Sequence, residues 1–167
     1  MTLGPFRLAT LVAAVLTFAP AAARAEEPYV IETLGEHTRY LVEFEPLVGV
    51  AYDGPFNPHG APVFGVRLTL NLADGFVQSI NDSVGINAGL EFDANGNLLL
   101  PVDLQWNFWF SDSWSMFVEP GVALSSSATT TIIPVGYLGA RLHLNRRVAL
   151  TLRAGFPDVT LGLSLLL

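Results

Sequence analysis

The chain contains no cysteine and no lysine. Without thiols there is no disulfide framework and no thiolate for metal or redox chemistry. Without lysine it lacks the solvated skin of an ordinary soluble domain, all eight basic residues being arginine. Fifteen acidic residues against those eight give a net charge of −7, which excludes a large basic surface for nucleic acid. Only 14% of the 167 residues are charged and 51% are hydrophobic, a composition too apolar for disorder. After the first two dozen residues no sustained 3.6-residue apolar period occurs, so no helical layer is expected.

What is present begins with an export leader. Arg7 supplies a positive start, Leu8 to Phe18 an apolar stretch, and Ala23-Arg24-Ala25 a small-x-small cleavage site. Residues 1–25 read as a secretory signal peptide, too short in its apolar run for a membrane anchor. Residues 26–38 read as a short polar periplasmic extension, leaving 39–167 as one domain.

That domain is a series of period-two runs broken by turn residues, the signature of strands. Eight are predicted, at about 39–51, 61–72, 83–93, 97–110, 114–124, 131–144, 147–156 and 158–167. Splitting each by parity separates two faces. In the fourth, Leu98, Leu100, Val102, Leu104, Trp106, Phe108 and Phe110 oppose Asn97, Asp103, Gln105 and Asn107. In the second, Phe64, Val66, Leu68 and Leu70 oppose Gly65, Arg67 and Thr69.

Alternation alone does not say which face points outward. In a soluble barrel or sandwich the apolar face is inside; in a membrane barrel it faces lipid. Four features favour lipid. The mixed face is rich in Gly, Ala, Ser, Thr and Asn, which suit a confined interior. Its charges can pair by sign, with Glu45, Arg67, Asp103 and Glu119 near mid-height. Glu43 and Arg141 would meet near one end, Glu91 and Arg153 near the other. Trp106, Phe108, Trp109, Phe110 and Trp114 gather at one turn, as an interfacial aromatic girdle would. The alternation also runs to the last residue, Leu167. The expected fold is therefore all-β, an eight-stranded antiparallel up-and-down transmembrane β-barrel, its even strand count allowing closure without an edge.

These features resemble the small eight-stranded outer-membrane barrels of Gram-negative bacteria, of the OmpA-transmembrane-domain and OmpX kind. The resemblance covers residues 39–167 and rests on the leader, the parity pattern and the terminal strand Val159–Leu167. That strand resembles the signal read by the outer-membrane assembly machinery, although it ends in Leu rather than the usual aromatic residue. The resemblance implies an integral outer-membrane protein with both termini periplasmic, in contact with outer-membrane lipids and lipopolysaccharide. The turns at 73–82, 111–113 and 145–146 would then be periplasmic.

No catalytic residue, cofactor or metal site is expected, nor any nucleic-acid partner, and the chain is expected to be a monomer. His59 with Asp53 and Ser125–Ser127 is the nearest approach to a nucleophile set, on separate loops. His143 reads as a hydrogen-bonding lumen residue. The lumen charges Glu43, Glu45, Arg67, Glu91, Asp103, Glu119, Arg141 and Arg153 read as an internal network that fixes register. The expected role is structural or surface-directed. The alternatives are a small ion or solute channel, a lipid-modifying enzyme, and a soluble periplasmic barrel binding a lipophile.

Overall fold

Each period-two run forms a strand: β1 Val42–Ala51, β2 Ala61–Asp74, β3 Asp82–Asp93, β4 Leu98–Trp109, β5 Trp114–Ser126, β6 Thr130–Asn145, β7 Val148–Phe156 and β8 Asp158–Leu166. The structure, a computed structural model, describes residues 37–52, 60–126 and 130–167. The expected leader, most of the expected extension, and the Asp53–His59–Ser127 part of the expected nucleophile set lie outside the described residues.

Every strand pairs antiparallel with its sequence neighbours, and β1 closes on β8 through Phe44↔Leu165 to Ala51↔Asp158. The seam continues to the final residue, where Leu167 N–H donates to the Val42 carbonyl at 2.8 Å. With both edges joined, no strand is an open edge of the sheet, the condition for a sheet surrounded by hydrocarbon.

Both described ends of the chain lie at one rim, called here the terminal rim, together with the connections 75–81, 110–113 and 146–147. The turn at 94–97 and the single-residue link Pro157 lie at the far rim. The 73–82 connection is shorter than its sequence suggests because β2 runs on to Asp74 and β3 starts at Asp82. What remains is tied down by the Asp82 carboxylate, which accepts from Val77 N–H at 3.2 Å and from the Trp106 indole at 2.7 Å. At the far rim, Asp93 Oδ1 accepts from the N–H groups of Asn95 and Asn97, and Gly96 supplies the positive φ of 85° that closes the turn.

Polarity is inverted relative to a soluble barrel. Leu104 is 44% exposed and Leu138 54%, while their chain neighbours Asp103 and Tyr137 are each 4% exposed inside. Phe44, Val48, Leu68, Leu70, Ile86, Val102, Val122 and Leu163 continue the outward apolar belt around the barrel. This overturns the soluble lipophile-binding alternative, which needs those side chains to converge on a shared interior. Water would solvate such a belt at a cost of about 25 cal/mol per Å².

Aromatic residues mark both rims. Near the terminal rim the outer face carries Trp106, Phe108 and Trp114, with Phe76 edge-on to Trp106 at 6.2 Å. Phe110 follows at the end of β4, half-buried. Near the far rim Phe64 and Phe92 stack across β2 and β3 at 6.2 Å. Trp109 departs from the expected girdle. It is wholly buried inside the barrel, because it shares the odd parity of Asp103, Gln105 and Asn107 rather than the even parity of Trp106 and Phe108.

Candidate functional site

The lumen is the candidate site, since that is where alternation concentrates polar side chains. Three arginines stand at different heights and organise it. Arg153, on β7, bridges β1 and β5. Its Nη1 donates to Glu45 Oε1 at 2.7 Å and its Nε to Glu119 Oε2 at 2.6 Å. Glu119 also accepts from Gln105 at 2.6 Å, Asn87 at 3.2 Å and Arg67 at 3.5 Å. Side chains of six strands, β1 to β5 and β7, therefore meet in the Glu119–Arg153 pair at mid-height.

Arg67 lies toward the far rim. Its Nε donates to Glu91 Oε1 at 2.7 Å, its Nη1 is 3.5 Å from Asp103, and its guanidinium lies 4.5 Å over the Tyr137 ring. Arg141 lies toward the terminal rim. It pairs with Glu43 at 2.9 Å and donates to Asn107 Oδ1 at 3.1 Å and to the Tyr40 hydroxyl at 3.2 Å. Between Arg141 and Arg153 sits the Phe117 ring, 4.8 Å from one guanidinium and 5.1 Å from the other. Each of these carboxylates and guanidiniums is buried, so each depends on its partners rather than on water.

The pairing expected between Glu91 and Arg153 does not form. In register, Arg67 lies opposite Gly89, two residues below Glu91 on the same face of β3, so it takes Glu91. That frees Arg153 for Glu45 and Glu119. Glycines admit the long side chains. A methyl on Gly139 would enter the Phe117 ring, and one on Gly162 would meet the Glu45 carboxylate.

Below the Arg141 layer the terminal rim is closed by stacked rings. His37 lies on Trp109 at 4.6 Å, and Trp109 on His143 at 4.7 Å. Tyr40 and Leu166 pack against the same indole. His143 Nε2 is hydrogen-bonded to Ser115 Oγ at 3.1 Å, both buried. At the far rim the lumen instead opens into a cavity of about 300 Å³, bounded by Val63, Leu99 and Ile133 with Glu91 and Asp158 among its walls. No group of His, Asp and Glu arranged to hold a metal occurs among the described residues.

This geometry has structural counterparts. A chain from the de novo design of transmembrane β-barrels superposes with a TM-score of 0.61 at 15% identity, over 75% of this chain and 94% of that one. A second de novo designed protein, solved by NMR in solution, gives 0.58 at 13% identity, over 77% and 94%. The fold is that of a transmembrane β-barrel. The N-terminal β-barrel domain of Pseudomonas aeruginosa OprF gives a TM-score of 0.47 at 16% identity, over 74% of this chain and 95% of that one. No protein-family profile matches the sequence. No curated protein sequence matches it either.

All eight expected network residues point inward. Sequence reasoning missed Tyr40, Asn87, Gln105, Asn107, Phe117 and Tyr137 as their partners, and Trp109 as a lumen ring. Parity would have placed Trp109 and the polar partners inside. The interaction of Phe117 with two guanidiniums leaves no trace in spacing, because it joins β5 to β6 and β7 through space.

Proposed function

We propose that the protein is an integral outer-membrane barrel with a structural or surface-directed role, neither conducting nor enzymatic. Its termini would be periplasmic. The observation that carries this reading is the pairing of an uninterrupted outer apolar belt with a lumen crossed by buried, mutually bonded charges. The belt suits lipid and the acyl chains of lipopolysaccharide, and the Glu119 layer stands across the path an ion would take. The terminal strand β8 supports recognition by the outer-membrane assembly machinery, with the closed seam favouring a monomer.

A non-enzymatic role is favoured by what surrounds the Ser115–His143 pair. It lies under the indole of Trp109, and no carboxylate among the described residues accepts from His143 Nδ1 to orient the ring as a catalytic base.

Two measurements test the reading. In planar bilayers the refolded protein should show no discrete conductance; steady ohmic channels would replace this proposal with the channel. Because the chain has no cysteine, single-cysteine labelling reads orientation cleanly. In intact cells, Asn95→Cys should react with a membrane-impermeant maleimide and Asp112→Cys should not. The reverse pattern would invert the topology.

A further inference from the structure

The far-rim cavity carries charge that the network leaves uncompensated. Among the described residues six carboxylates are buried in the lumen, Glu43, Glu45, Glu91, Asp103, Glu119 and Asp158, against three guanidiniums, Arg67, Arg141 and Arg153. Arg141 takes Glu43, and Arg153 takes Glu45 and Glu119. Arg67 reaches Glu91, Asp103 and Glu119. Among the described residues no cation lies within ion-pair distance of Asp158, whose Oδ2 accepts only from the Tyr137 hydroxyl at 3.1 Å.

Asp158 is 1% exposed and Glu91 is equally buried, and among the described residues neither Asp158 Oδ1 nor Glu91 Oε2 has a donor. Both residues line the cavity of about 300 Å³. A buried acceptor without a donor is costly, and two lining one cavity call for a ligand that brings positive charge and N–H groups. The other walls include the aliphatic Val63, Leu99 and Ile133 together with the polar Asp93, Asn97 and Ser125. The aliphatic side chains offer contact to an apolar body, and the volume sits at the small end of ligand pockets.

We propose that this cavity binds a small organic cation, an ammonium group on a short apolar body. The ammonium donates to Asp158 Oδ1 and Glu91 Oε2, and the body lies against Val63, Leu99 and Ile133. Binding there leaves the Glu119 layer closed, and it is independent of which rim faces the cell exterior.

The test titrates phenethylammonium into the full barrel in lipid nanodiscs, with the isoleucine methyls labelled for NMR. The Ile133 signal should shift saturably. Asp158→Asn, which keeps an acceptor for Tyr137, should weaken the binding by about tenfold or more. Leu99→Trp, which fills the cavity beside Glu91, its cross-strand partner, should abolish it. Both variants are first checked for the gel-mobility difference between folded and boiled barrel. Phenylacetate and phenethyl alcohol should give no saturable shift. Equal shifts from the neutral or anionic analogue, an unchanged affinity in Asp158→Asn, or a calcium-induced shift without amine would each overturn the proposal.

Discussion

Glu119 is the residue on which the interior converges, accepting from Asn87, Gln105, Arg67 and Arg153. Glu119→Ala removes the shared acceptor and leaves two guanidiniums short of a partner in a site without water contact. Breaking a buried pair in this way costs about 3–5 kcal/mol. The midpoint of urea unfolding in lipid vesicles should fall accordingly, with Glu119→Gln falling less because an acceptor oxygen remains. Gly139 belongs to the same layer at one remove. A methyl there forces the Phe117 ring off its place between Arg141 and Arg153, so Gly139→Ala should cost about 1–3 kcal/mol by overpacking. The same unfolding assay reads it. The inward direction of these side chains was legible from parity, but the choice of partner was not. An arginine reaches across several strands, so whether Arg153 or Arg67 takes Glu91 depends on where the strands stand around the closed circle.

At the scale of the strand, the two faces of β4 meet different solvents, and position along the strand sets the cost of a charge. Leu104 lies at mid-strand on the outer face, whereas Leu144 lies near the terminal rim in β6, beside the register shift between His143 and Asn145. Leu104→Arg should destabilise the barrel by about 2–4 kcal/mol and Leu144→Arg by about 0–1 kcal/mol. Equal costs in vesicle unfolding would mean that the outer face is not graded by membrane depth. Strand existence and facing were readable because a half-buried strand must alternate. Strand ends were less so: β2 and β3 extend into the 73–82 segment because Asp82 anchors it to Trp106, a contact between residues 24 positions apart. The girdle shows the same division. Trp106, Phe108 and Trp114 face outward as their parity demands, while Trp109 turns inward to stack between His37 and His143.

For the whole molecule, closure is the property that everything else requires. All eight ladders are antiparallel and the β1–β8 seam is made by residues more than 100 positions apart, from Glu43↔Leu166 to Ala51↔Asp158. Removing β8 by truncation before Asp158 would leave β1 and β7 with open edges, which hydrocarbon does not tolerate. The truncated chain should show no difference in gel mobility between boiled and unboiled samples, whereas the full chain should show one. The amino-acid sequence by itself determined the strand count, the two-faced character of each strand and the sign of the interior charges, because these follow from a local period of two and from composition. Only the tertiary structure decided which carboxylate each arginine takes, where Arg153 and Arg67 stand in the lumen, and that among the described residues no cation pairs with Asp158. Those outcomes depend on distances across a closed ring, and no local spacing along the chain encodes them.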